Sequence, residues 1–512
     1  MTSPPAVMLS PGPLAPAQVL AVARHGARVE FTPEALAAIV HGADVIAALG
    51  ADPHPHYGVS TGFGALATRE IAADQRRELQ HNVVRSHAAS SGPPVETDVV
   101  RAMMLLRLAT LATGRTGVTV ATARAYAALL NARITPVIGE YGSLGCSGDL
   151  APLAHCALAV LGEGEVIGPD GRRLPAARAL ADAGLEPVTL APKEGLALIN
   201  GTDGMLGMLL LALTDLEGLL DLADVAAAMS VEASSGSAAA FAPHIQTLRP
   251  YAGQADSARR IADMVAGSEI LAHHRDAAAA RVQDAYALRC APQVHGAARE
   301  VLGFAAGVAA TELASAIDNP VITDLGTLES NGNFHGAPVA YALDMVAIPV
   351  ADVASMSERR TDRLLDVHRS NGLPAFLAHD PGLHSGLMIA HYTAAGLVSE
   401  LKRLAAPASV DSIPSSAMQE DHVSMGWAAG RKLRRAVDGL GRVLAIEVLA
   451  AARGIDLRAP LRPGAGAARV VAAVRERVPG PGPDRYLAPD IEAVYRLVQD
   501  GTLTRAARGC SG

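Results

Sequence analysis

Residues 204–229 read GMLGMLLLALTDLEGLLDLADVAAAM, and this run constrains the fold more than any other. Leu209, Leu213, Leu216, Leu220 and Ala223 fall at spacings of four and three, the stripe of an amphipathic helix. Leu211, Leu219 and Leu222 extend the apolar surface well past that stripe. A helix that is apolar on most sides must be covered on most sides, inside a bundle or between subunits. Asp215, Glu217, Asp221 and Asp224 interrupt the run, so it has no 18 uncharged apolar residues in a row and is not read as a membrane span. Stretches 340–359, 441–453 and 98–132 have the same character. Half of the 512 residues are apolar but only 3% are aromatic, so the core is built from Ala, Leu and Val. Those small aliphatic residues favour helix. Short β-branched strands do not alternate with helices, which argues against a doubly wound sheet. The expectation is a mainly α protein, a long-helix bundle core with a smaller, loop-rich N-terminal domain.

The natural break follows LALINGTDG, near residue 205. It predicts a mobile, Pro-rich arm over 1–15, an N-terminal domain over 16–205 and a helix bundle over 206–512. A formal charge of −8 argues against nucleic acid as a partner. The four cysteines (Cys146, Cys156, Cys290 and Cys510) form no CxxC pair, which fits a reducing cytoplasm and neither a disulfide framework nor a zinc knuckle. The N-terminus lacks the basic start and apolar stretch of a signal peptide. No membrane partner is expected. His54 and His56 flank a proline, His273 and His274 are adjacent, and no HExxH occurs, so no metal site is expected. The charged run SERRTDRLLD (357–366) reads as a solvated or inter-subunit helix.

The chemistry concentrates in YGSLGCSGDLAPLAH (141–155). A phosphate loop needs a lysine that is missing here, and a nucleophile elbow needs GxSxG. Cys146 as a nucleophile has no general base that the sequence can place beside it. A further reading uses all three central residues. In a tight turn the Gly148 nitrogen, unobstructed by a Cβ, approaches the Cys146 carbonyl carbon. Attack and loss of water close a five-membered imidazolone. Loss of the Ser147 hydroxyl as a second water leaves an exocyclic methylidene, an electrophile made from the chain itself. Asp149 reads as the N-cap of the helix that follows, Pro152 is tolerated in its first turn, and Gly162 stops it.

GSLGCSGDLAPLAH resembles the prosthetic-group motif of the aromatic amino acid ammonia-lyases, in which Ala-Ser-Gly forms 4-methylidene-imidazol-5-one. Cys146 stands where alanine is usual, a departure shared with a bacterial subgroup of histidine-specific members. The resemblance runs from about residue 20 to about 495. It implies the family's helical, fumarase-like fold, a ring formed autocatalytically from Cys146, Ser147 and Gly148 with no external cofactor, and a homotetramer whose active sites are shared between subunits.

The resemblance also assigns residues. YGVSTGFGALATREI (57–71) is similar to the family's N-terminal active-site loop, and makes Tyr57 the base for the substrate β-proton. RVQDAYALRCAPQ (281–293) resembles a second motif, in which Arg289 forks onto the substrate carboxylate and Gln283 and Tyr286 line the site, Tyr286 among its catalytic groups. LALINGT (196–202) puts Asn200 near ring and carboxylate, followed by Asp203 where many relatives carry Gln. Phe334 is a wall residue, and SSAMQEDHVSMG (415–426) supplies Gln419 and Glu420. Ser86-His87 matches the pair of histidine-specific members, and Glu420 suits an imidazole that donates from both nitrogens. A phenyl ring would leave His87 and Glu420 without partners, at about 1–3 kcal/mol for each buried group. The implied reaction is non-oxidative deamination of L-histidine to trans-urocanate and ammonia. The alternatives are a tyrosine or phenylalanine lyase or aminomutase of the same family, and a catalytically inactive helical scaffold.

Overall fold

A computed structural model describes residues 4–52, 54–275 and 282–509, the last two residues of the middle stretch by backbone alone. Cys510 and the side chain of His274 lie outside the described residues. The chain is mainly helical, with twenty α-helices among the described residues and strands only two to four residues long. Seven helices matter below: α1 (Arg76–His87), α2 (Thr97–Ala112), α3 (Leu150–Val160), α4 (Asp203–Ala233), α5 (Ala291–Leu313), α6 (Ala337–Leu365) and α7 (Gly426–Asp456).

The three long apolar stretches at 204–229, 340–359 and 441–453 fall within α4, α6 and α7. The stretch 98–132 is two helices, not one: α2 ends at Ala112 and a second helix begins at Val120. Glycines at 114 and 117 turn the chain between them, and the Thr119 hydroxyl caps the new helix by accepting from Thr122 N at 3.3 Å. Residues 7–9, expected in a mobile arm, form β1 (Val7–Leu9), which pairs in parallel with β2 (Val29–Phe31) and buries Val7 and Leu9.

Two compact units divide the chain. The first comprises Met1–Leu211, Ala306–Asp344 and Pro407–Arg431; the second comprises Ala212–Ala305, Met345–Ala406 and Lys432–Gly512. The expected break near residue 205 lies close to the first of these boundaries, but the chain then returns to the first unit twice.

In the first unit α2 is buried almost throughout, Arg101 and Arg107 included. In the second unit the Arg360 guanidinium forks onto the Glu447 carboxylate at 2.5 and 2.9 Å, and Ser230 and Ser357 hydroxyls donate to the same carboxylate at 2.7 and 2.6 Å. All four side chains are fully buried, and each acceptor is satisfied, as burial of charge requires. Of the two readings of 357–366, solvated or inter-subunit, this corrects the solvated one: Ser357, Glu358, Arg360 and Thr361 are buried, and Arg359 points outward. Long polar side chains packed on a carboxylate inside a helix bundle look, in sequence, like a charged surface.

By length and composition, Pro33–Ala51 and α6 are apolar enough to cross a membrane; most of the α6 window is buried in the fold.

Candidate active site

The tripeptide 146–148 sits in the first unit where three other loops converge on it. Gly145 O accepts from Gly336 N at 3.0 Å and from the Ser424 hydroxyl at 2.7 Å, and Met425 N donates to Leu144 O at 2.9 Å. Asp149 N donates to Gly201 O at 2.7 Å. Loops 330–338, 415–426 and 200–205 thus hold the turn from separate sides. Gly148 has φ 75°, and a Cβ on it would overlap the Gly201 carbonyl, so glycine is required by both conformation and space.

Asp149 does not cap its own helix as the sequence predicts. Its Oδ2 accepts from Gly204 N and Met205 N, both at 2.9 Å, and its Oδ1 accepts from the Ser143 hydroxyl at 2.8 Å. Gly204 and Met205 open α4, so the carboxylate caps that helix instead and ties it to the tripeptide. Complete burial pushes the Asp149 carboxyl up to about 7, against the pull of these donors.

Glu420 organises the polar side. Its carboxylate accepts from the Ser147 hydroxyl at 2.9 Å, from the Cys146 thiol at 3.3 Å and from the Ser415 hydroxyl at 2.8 Å. Burial first, and then the Glu420 charge, push the Cys146 thiol up to about 12. Both causes favour the neutral thiol over the thiolate, the form a nucleophile or metal ligand uses. Glu420 is presented by a tight turn in which Ser416, Ala417 and Met418 all have positive φ (50°, 50° and 69°). Three consecutive left-handed non-glycine residues store backbone strain, a feature that concentrates at functional sites.

The remaining residues take their places around this centre. Tyr57 is half-buried; its Oη accepts from Gly64 N at 3.1 Å, and its ring meets Phe63 edge-on with centroids 6.4 Å apart. A Cβ on Gly64 would lie 3.1 Å from Ser416 Oγ, so the Tyr57 loop touches the turn that presents Glu420. His87 ends α1 with Nδ1 3.1 Å from the Ser86 hydroxyl; burial pushes its imidazole down, against the pull of the Glu420 carboxylate. Asn200 is buried, and among the described residues its Oδ1 has no hydrogen-bond partner. Phe334 is half-buried on the loop anchored to Gly145, and Gln419 is exposed.

Gln283, Tyr286 and Arg289 belong to the second unit. Tyr286 is 71% exposed, with the Arg289 guanidinium 4.9 Å above its ring. Arg289 Nε is buried without a partner among the described residues, and Gln283 is exposed. The turn holding them is pinned by Arg360 Nη1, which donates to Ala287 O at 3.3 Å. No group of three or more His, Cys, Asp or Glu among the described residues gathers to hold a metal ion; His54 and His56 both turn to Asp52, at 2.9 and 3.0 Å.

Sequence reasoning missed three supports. His155 Nε2 on α3 accepts from Ser90 N at 3.1 Å, fixing the chain just after His87. Trp427, the only tryptophan, donates from Nε1 to Glu140 O at 2.7 Å beside the tripeptide loop. Arg107 holds the loop carrying Asn200 by donating to Ala197 O and Asn200 O at 3.0 and 2.7 Å. The signal for Arg107 was an arginine inside an otherwise apolar helical run, a position that demands fixed partners.

A mainly helical chain carrying this tripeptide, with a carboxylate on its serine and a tyrosine loop beside it, matches the aromatic amino acid lyase family over residues 14–476, and belongs to it. It is an ammonia-lyase, an enzyme that breaks a carbon–nitrogen bond. Among its relatives are the histidine ammonia-lyases of Streptomyces avermitilis and Streptomyces coelicolor, 59% and 60% identical, each alignment covering 96% of this chain and 96% of the relative. Among solved structures, the histidine ammonia-lyase of Trypanosoma cruzi superposes with a TM-score of 0.90 at 40% identity, over 98% of this chain and 95% of that one. The tyrosine aminomutase of Streptomyces globisporus gives 0.93 at 37% identity, over 99% of each chain.

Proposed function

We propose that this ammonia-lyase converts L-histidine to trans-urocanate and ammonia, using a 4-methylidene-imidazol-5-one ring built from its own Cys146, Ser147 and Gly148. The residues fit that group. Gly148 holds a left-handed turn, φ 75°, in which no Cβ would fit, and the Ser147 hydroxyl, which must leave as water, is held by Glu420. Once formed, the ring supplies an electrophilic carbon that makes the substrate amine a leaving group; no external cofactor is called for.

The chain's own side chains do the rest. Tyr57 takes the proton from the substrate β-carbon on its oxygen, having first given up its own; the Gly64 N–H that donates to that oxygen holds it in place. Arg289 and Asn200 hold the carboxylate, the first through the Nε–H that is buried without a partner among the described residues and the second through its amide NH2; the unpartnered Asn200 Oδ1 is left as an acceptor for the substrate ammonium. Gln283, Tyr286 and Gln419 line the site and Phe334 walls it. His87 and Glu420 read the imidazole.

The observation that carries the substrate assignment is the Glu420 carboxylate on Ser147, with the half-buried His87 in the same unit. Two polar groups there reward an imidazole and penalise a phenyl ring. Assembly as a homotetramer, each site completed by loops of other copies, is supported by the exposure of Tyr286 and by Tyr341, Met345 and Ile348, an exposed apolar stripe along α6. A cytoplasmic location fits three cysteines that are free among the described residues. Neither nucleic acid nor membrane enters this reading.

The test is product identity. Purified protein is incubated separately with L-histidine, L-tyrosine and L-phenylalanine and the absorbance spectrum followed. Urocanate from histidine alone supports the assignment. Coumarate, cinnamate or a β-amino acid as the main product moves it to the tyrosine or phenylalanine enzymes, and no product with any of them leaves only the inactive scaffold.

A further inference from the structure

One loop residue separates the tripeptide from a buried ion pair. Arg107, on α2, lies within the core with no exposed surface, and its Nη2 is 2.9 Å from Asp203 Oδ2, itself 6% exposed. The same guanidinium donates to Ala197 O, Asn200 O and Ile317 O at 3.0, 2.7 and 3.0 Å. It is therefore bound to both ends of segment 197–203 and to a third point of the first unit. Gly201 is the centre of that segment. On one side its carbonyl takes the Asp149 N–H at 2.7 Å, and its backbone bridges to Gly148 in parallel. On the other side a Cβ on Gly201 would overlap the Arg107 guanidinium and the Asp203 carboxylate. Nothing thicker than a peptide unit lies between Gly148 and the pair.

We infer that the Arg107–Asp203 ion pair is a positioning brace for ring closure, setting through Gly201 the place at which the Gly148 nitrogen meets the Cys146 carbonyl. Closure joins that nitrogen to that carbon and expels the carbonyl oxygen as water; the Ser147 hydroxyl then leaves as a second water with its α-hydrogen, so the chain loses two waters and nothing is oxidised or reduced. Neither Arg107 nor Asp203 touches a reacting atom. Their effect is on approach distance, and a displacement of about 1 Å costs up to about a hundredfold in an intramolecular reaction. Asp203 suits the task because it is the first residue of α4, where Asp149 caps the next two N–H groups, so brace and cap act on the same helix end. Removing Arg107 would leave Asp203 buried and unneutralised and free three carbonyls, which endangers folding, whereas a guanidinium without Asp203 keeps its bonds to Ala197 O, Asn200 O and Ile317 O. The decisive variants are therefore at Asp203.

This inference rests on the proposed ring, and intact mass separates the two. Unaltered protein, Asp203→Asn and Asp203→Ala are purified identically, and denatured chains are weighed at intervals from first recovery. Thermal midpoints are recorded in parallel, together with KM for histidine on the closed fraction. We expect unaltered chains to be two waters lighter than encoded from the outset. Asp203→Ala should fold but close about tenfold to a hundredfold more slowly, giving a mixture of open and closed chains, and Asp203→Asn should fall between. The closed fraction should keep the KM of unaltered protein, because a brace acts before substrate arrives. Unaltered chains of encoded mass would end the ring reading itself. Soluble Asp203→Ala and Asp203→Asn chains that close as completely and as early as unaltered protein, with only the thermal midpoint lowered, would overturn the brace and leave the ring standing. If Asp203→Ala is insoluble, the closure rate of Asp203→Asn, whose amide keeps an acceptor for Arg107, decides alone: slowed closure supports the brace and unchanged closure overturns it.

Discussion

Two side chains separate the base from the ring reader. Tyr57, the proposed base, sits on its own loop, with Gly64 N as the hydrogen-bond partner of its hydroxyl. Tyr57→Phe keeps the ring packed on Phe63 and removes only the acid–base oxygen. The chain should still be two waters lighter than encoded, while kcat falls by about 10²–10⁴, the usual worth of a positioned general base. Stopped assays and intact mass on the same sample check both halves. Glu420→Gln replaces a charged acceptor for an imidazole N–H by a neutral amide. On closed enzyme, kcat/KM for histidine should drop by about tenfold to a hundredfold, the cost of about 1–3 kcal/mol for a lost buried partner. An unchanged kcat/KM would show that Glu420 does not read the substrate ring. The Cys146 thiol, pushed up by burial, donates to the same carboxylate at 3.3 Å.

At the scale of elements, the site is a junction between the ends of helices. Asp149 directly precedes α3 yet spends its carboxylate on the first N–H groups of α4. The sequence shows an aspartate before a helix, and the ordinary inference is a local cap. The partner instead lies more than fifty residues on, where no local pattern points to it. The α4, α6 and α7 helices were legible because apolar periodicity is a local property. The split of 98–132 was not, because Thr119 decides it by capping and the apolar stripe resumes on the far side. The buried charges of 357–366 were illegible for the opposite reason: their partner Glu447 is distant in sequence, and an unpaired reading of Arg360 can only place it in water. Removing the shared cap tests the junction. Asp149→Ala should lower folding stability by about 1–2 kcal/mol for the lost cap of α4, seen as a lower urea midpoint. It should act on α4 even though the mutated residue precedes α3, so hydrogen exchange should rise at Gly204 and Met205.

For the whole molecule, pH couples to stability through the same carboxyl. Its ordinary value in an unfolded chain is 3.8, and burial raises it to about 7 in the fold. Between those values the folded chain keeps a proton that the unfolded chain has released. Stability from this group is therefore fully present below about pH 4 and is lost as pH rises toward 7. Asp149→Asn cannot ionise and should flatten that part of the slope; urea midpoints across pH 4–8 for the two proteins give the difference directly, and superimposable slopes would contradict the assignment. The turn at 146–148 stood out from its own residues, and Glu420, whose carboxylate accepts from the Ser147 hydroxyl, from the family resemblance. What the linear text hid is how three distant loops grip that tripeptide, because backbone hydrogen bonds to Gly145 and Gly201 leave no mark on side-chain identity. The central claim is that residues 146–148 are a closed ring in the working protein. The direct measurement is electron density through those residues in crystals of protein shown to deaminate histidine. The account predicts a planar five-membered ring with an exocyclic methylidene at position 147; an ordinary open backbone there, in active protein, would contradict it.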